Sequence, residues 1–181
     1  MLGLIRKNFM HLDVEAFLCL FKSQIRSHLE YSIHVWSPRK VKEIERLERV
    51  QKWATKIVRG CEDLKYEERL KFMGLPTLVY RRVWGDMIMV FNILNVYEEG
   101  VGPKLDLKNK SITRSHGRSL VKGIFKTNWK KYGFCNRVVN VWNGLPDDVV
   151  ISSDVNEFKN KLDKHWVNVD FKYDWKVRVY V

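Results

Sequence analysis

The chain is predicted to be mainly α: a bundle-like helical unit, then a basic loop-rich segment, a C-terminal helical segment and a strand-like tail. Three observations predict this. Apolar residues recur at three- and four-residue spacing along most of the chain. Residues 104–133 interrupt that pattern, and positions 101–140 hold ten basic side chains against one acidic. The last fifteen positions instead alternate apolar and mostly polar residues, the period of a strand.

The elements follow in order. Asp13 is placed to cap a helix over about 14–35, whose residues Val14, Phe17, Leu18, Phe21, Ile25 and Leu29 share one face. Ser37-Pro38 restarts the chain with a cap residue and a proline where a first-turn N–H is not needed. The helix it opens carries Val41, Ile44, Leu47, Val50, Ala54 and Ile57 inward and ends at Arg59-Gly60. Its other face, Lys42, Glu43, Glu45, Arg46, Glu48, Arg49 and Lys52, mixes charges at i,i+3 and i,i+4 spacing and reads as solvated.

A short helix at about 65–73 ends in Gly74-Leu-Pro76. Thr77 then caps a fourth helix with Leu78, Trp84, Met87, Ile88, Phe91 and Leu94 inward, completing a helical domain over 1–97. Gly100-Val-Gly-Pro103 opens an arm over 98–133 with no sustained period. Phe134 to Trp142 reads as a helix stopped by Gly144-Leu-Pro146, and Ser153 caps a last helix with Val155, Phe158, Leu162 and Trp166, together a segment over 134–166. The remainder, 167–181, is a strand-like tail that needs a partner.

Composition narrows the function. At 181 residues, 45% hydrophobic and 13% aromatic, the chain can bury a core. Its net charge of +12 points to nucleic acid or an anionic surface. Cys19, Cys61 and Cys135 are odd in number and far apart, which argues against a disulfide framework or a zinc site and for a reducing compartment; Cys19, between apolar neighbours, reads as core. The apolar start at Met1 is too brief for a signal core or a membrane span, so an intracellular protein of nucleus or cytoplasm is expected. His11, His28, His34, His116 and His165 show no metal-ligand spacing, and no nucleophile is paired with a base in the sequence. No catalytic residue, metal, cofactor or small-molecule substrate is expected.

The arm carries the one pattern with a binding mechanism. Lys104, Lys108, Lys110, Arg114, Arg118, Lys122, Lys126, Lys130, Lys131 and Arg137 can neutralise phosphates, and Trp129, with Phe125, Tyr132 and Phe134, can stack on unpaired bases.

Short blocks in order also carry a family resemblance. They are Leu29-Glu-Tyr31, Val35-Trp-Ser-Pro38, Glu45-Arg-Leu-Glu-Arg-Val-Gln51, Tyr66-Glu-Glu-Arg-Leu70, Gly74-Leu-Pro76, Arg81-Arg82 to Gly85-Asp86, Phe134-Cys-Asn-Arg-Val-Val139, Trp142-Asn-Gly-Leu-Pro146 and Phe158-Lys-Asn-Lys-Leu-Asp163. Across residues 1–166 the chain resembles the region downstream of the palm in LINE-type, jockey-like non-LTR retrotransposon reverse transcriptases. The resemblance implies a helical thumb-like domain and a C-terminal segment that together grip template RNA and the nascent RNA–DNA hybrid, beside the remaining polymerase domains.

The parent polymerases use Mg held by carboxylates, including an aromatic-x-Asp-Asp turn. The Asp147-Asp148 pair here follows Leu145-Pro146 with no aromatic residue two positions before it, and reads as a first-turn or loop feature. A non-catalytic fragment of such a polymerase is the expectation. The alternatives are a domesticated or relic protein-interaction module and a truncated copy without a functional product.

Overall fold

The computed structural model describes residues 2–8, 12–97, 102–108 and 116–179. These residues are mainly helical, and among them no sheet forms; the pairings outside helices are two isolated bridges, Leu12 with Val58 and Leu107 with Leu120. The helices are α1 (Leu2–Asn8), α2 (Val14–Leu20), α3 (Ser27–Glu30), α4 (Ile33–Trp36), α5 (Val41–Ala54), α6 (Tyr66–Met73), α7 (Leu78–Asn95), α8 (Asn128–Tyr132), α9 (Phe134–Asn143), α10 (Asp147–Val150) and α11 (Val155–His165). The chain forms two compact units, one of residues 1–82 with 170–177, the other of 83–169 with 178–181.

In the first unit the Asp13 carboxylate accepts from the Ala16 N–H at 2.7 Å and starts α2 as expected. A π-helical turn, Phe21–Arg26, carries the helix on into α3. The helix stops at Glu30 rather than near 35, because Ser32 takes a left-handed conformation (φ 50°) and α4 restarts after it. Phe17, Phe21 and Ile25 are buried with Ala54, Val58, Leu70 and Leu75. Cys19 points the other way and is exposed, so it is not a core residue.

α5 begins at Val41, not at Pro38. Its N-terminus is held by Glu43, whose carboxylate accepts from the Arg39 and Lys40 N–H groups, each at 3.3 Å. The buried side of α5 holds Ala54 as expected but differs elsewhere: Val41 is exposed, whereas Glu48 (2% exposed) and Gln51 are enclosed, as is Thr55 just after the helix. The reason is polar satisfaction. The Tyr66 hydroxyl donates to Glu48 Oε2 at 2.8 Å, the Val79 N–H donates to Oε1 at 3.0 Å, and Gln51 Nε2 donates to the Pro76 carbonyl at 2.9 Å. Burial raises the Glu48 carboxyl pKa above the ordinary range, against the pull of Tyr66, Arg82 and the backbone donors. Arg69, itself buried, donates to Thr55 Oγ1 at 3.1 Å and to the Lys52 carbonyl at 3.4 Å, placing a cation at the C-terminal end of α5.

Gly74 ends α6 in the left-handed region (φ 59°), and Thr77 Oγ1 accepts from the Tyr80 N–H at 3.0 Å to cap α7. The strand expected over 167–181 does not form in the described residues 167–179. An alternating pattern needs a strand edge to pair with, and no sheet provides one here. The chain instead makes a 3-10 turn, Asp170–Lys172. Thr77 holds it, its hydroxyl donating to the Phe171 carbonyl at 2.7 Å and its N–H to the Lys172 carbonyl at 2.9 Å. Phe171 packs on Tyr80 with ring centroids 5.8 Å apart, while Tyr173 and Trp175 pack against the first core.

The second unit is built on the rest of α7 with α9 and α11. Phe91 stacks on Phe158 at 4.6 Å, and Trp142 lies 5.9 Å from Phe158. The Trp84 indole N–H donates to Asp163 at 2.8 Å. Asp147 and Asp148 occupy the first turn of α10, where a negative charge suits the helix dipole. α11 is capped by Asp154, which accepts from the Asn156 and Glu157 N–H groups at 2.6 and 2.9 Å, rather than by Ser153. Ser153 instead donates its N–H and hydroxyl to Glu157, each at 2.7 Å. With Lys161 as the largest contributor, these bonds hold the Glu157 carboxyl at a pKa of about 2.

Candidate nucleic-acid interface

The arm belongs to the second unit, and helix α9 organises it. Asparagines at 136, 140 and 143 lie along one side of α9 at helical spacing. Asn143 accepts from the Leu120 N–H at 2.8 Å and donates to the Leu120 carbonyl at 3.0 Å, satisfying both backbone groups of one residue. Asn136 accepts from the Gly123 N–H at 3.1 Å and donates to the Lys130 carbonyl at 2.6 Å. Asn140 receives Lys122 Nζ at 3.4 Å. A helix side chain here does what a neighbouring strand does in a sheet. Gly123 fits this closely: a Cβ there would lie 3.1 Å from Asn136 Oδ1, so only glycine lets the backbone approach without a shift.

Further anchors fix the arm's start. The Trp142 indole donates to the Arg118 carbonyl at 2.9 Å, and His116 Nε2 lies 3.0 Å from the Trp142 carbonyl oxygen. Residues 106–108 pair with 119–121 through Lys108 N–H to the Ser119 carbonyl and Val121 N–H to the Asp106 carbonyl, both at 2.8 Å. Leu120 is buried between these ties and anchors the ribbon in the core.

Outward from this frame stand the cations. Lys104, Lys108, Lys122, Lys126, Lys130 and Lys131 are all exposed. Lys130 and Lys131 ride on α8, which Thr127 caps. Trp129 on the same short helix is 79% exposed, and Ile124 is 96% exposed. Phe125 and Phe134 are half-buried, and Tyr132 borders the surface with the Lys131 ammonium 5.3 Å above its ring. Asp106, the one acidic residue of positions 101–140, lies 3.9 Å from Lys104.

Not every expected residue joins this surface. Arg137 is buried in a two-pronged ion pair with Asp86, Nε to Oδ2 and Nη2 to Oδ1 both at 2.9 Å, so its guanidinium braces α9 against α7 instead of facing phosphate. Arg118 is half-buried and donates to Asn95. Lys110 and Arg114 lie outside the described residues. Sequence reasoning missed the asparagine ladder, although its i, i+4, i+7 spacing was visible.

Burial raises the Cys61 and Cys135 thiol pKa values, which leaves both poor nucleophiles. Among the described residues no group of three His, Cys, Asp or Glu side chains is placed to hold a metal, and no helix is long and apolar enough to cross a membrane. Comparison with protein-family profiles, with curated proteins and with solved structures finds no match to the chain.

Proposed function

We propose that this chain is a non-catalytic nucleic-acid-gripping module, akin to the region C-terminal to the palm of LINE-type reverse transcriptases. In this reading it holds template RNA or RNA–DNA hybrid through phosphates, without reading bases. The observation that carries the proposal is the arm itself: six exposed lysines and an exposed tryptophan stand around a ribbon and on helix α8, both with backbone tied to α9. A fixed ribbon loses less conformational freedom on binding than a free loop, which favours a built surface over a merely solvated one. The polymerase carboxylates and their Mg would belong to other domains, which would be this module's protein partners.

The test is fluorescence anisotropy with a labelled RNA–DNA hybrid and a labelled single-stranded RNA. Lys126→Glu, Lys130→Glu and Lys131→Glu together should lower affinity at least about tenfold at low salt and similarly across sequences. Unchanged affinity contradicts the proposal.

A protein-interaction module is the second reading, favoured by a different observation. Tyr31, Val35, Trp36 and Val41, around α4 in the first unit, are all exposed. A partner captured equally well after nuclease treatment and by the triple charge-reversal variant would support that reading instead.

A further inference from the structure

The first unit holds a second aromatic and basic surface, formed by different residues. Two cavities of about 350 and 420 Å³ share Lys52, Tyr66 and Trp175. Each is within the range of small-ligand pockets, roughly 300–1,000 Å³. We infer that this cleft is a nucleotide subsite, in which an unpaired base stacks on the Trp53 indole and its phosphate meets Lys52, Lys56 or Lys176.

Three features select a nucleotide over a simple anion or an apolar ligand. Trp53 lines the first cavity yet is 62% exposed, a large aromatic surface left open to solvent on a charged helix. Trp175 lines both cavities while packing against the core, so it is a fixed aromatic wall. The second cavity is lined by five basic residues and two acidic ones, a local excess suited to phosphate.

The acidic groups of the first cavity are already engaged. Glu45 meets Arg49 at 3.5 Å, and Glu48 accepts from Tyr66 and Val79. The ligand class is therefore a base joined to a phosphate, whether a free mononucleotide or one residue of a single strand. The inference does not rest on the arm.

The experiment uses the full chain carrying Lys126→Glu, Lys130→Glu and Lys131→Glu, which silences the arm. Tryptophan fluorescence is titrated with 5′-AMP and with a six-residue single-stranded oligoadenylate. The expected result is saturable quenching by at least one probe, weakened about tenfold or more by adding Trp53→Ala and also by Lys52→Glu with Lys56→Glu. Tighter binding of the oligomer identifies a strand as the ligand, and equal binding identifies a free nucleotide. No quenching by either probe, or affinity undiminished by Trp53→Ala, overturns the inference. Failure of the arm reading would show separately, as hybrid affinity indifferent to the three lysine reversals.

Discussion

At the residue scale, two buried charges separate what the sequence displays from what the fold does with it. Glu48 stands among charged neighbours and Arg137 closes the basic stretch of 101–140, yet both are enclosed. Removing Arg137 leaves the Asp86 carboxylate buried without its two-pronged partner, so Arg137→Ala should destabilise the protein by about 3–5 kcal/mol in denaturant unfolding. Wild-type stability in that variant contradicts the role given to the pair. Glu48 makes a pH prediction. Its folded pKa lies above its unfolded value, so its favourable contribution is full below the unfolded pKa and is lost as pH rises through the folded one. The stability of wild type relative to Glu48→Gln should therefore fall as pH rises above the ordinary glutamate range. Glu157 has the opposite sign: its pKa is held at about 2, so its contribution is present above the unfolded value of 4.5 and is lost as pH drops toward 2. Glu157→Gln should remove that part of the acid loss in a pH-dependent melting series.

At the element scale, the helices were legible where their signals are local. Asp13, Thr77 and Gly74 act within three residues of the ends they set, and each does what its residue type favours. Burial of Glu48 was not legible, because its partners Tyr66 and Val79 are 18 and 31 positions away. The tail fails as a strand for a related reason. Period-two spacing fixes which side chains alternate but cannot provide an edge to pair with, and Thr77 and Tyr80 offered 170–177 a different dock. The asparagine ladder lies between these cases, its spacing visible in sequence and its backbone targets not. Asn143→Ala orphans both polar groups of buried Leu120 and should cost about 1–3 kcal/mol. Amide exchange at Leu120 should speed up in that variant; exchange as slow as in wild type would mean that Asn143 does not hold the ribbon.

At the scale of the whole molecule, charge and frame combine. Positions 101–140 carry ten basic side chains against one acidic, most of the net charge of +12, and six of the lysines there reach solvent around a ribbon and a short helix, α8, tied to α9. That concentration was readable from composition, whereas the withdrawal of Arg137 into the core was not, because a guanidinium in a basic run gives no sign of a carboxylate 51 residues away. The most direct test is the salt dependence of binding to an RNA–DNA hybrid. Log affinity should fall linearly with log salt, by about 0.7 to 0.9 per phosphate contacted and by up to about 5 in total slope if all six lysines engage. The variant with Lys126, Lys130 and Lys131 reversed should show a slope shallower by at least about 2. A slope near zero in the wild type, or one unchanged in the variant, would contradict the electrostatic grip.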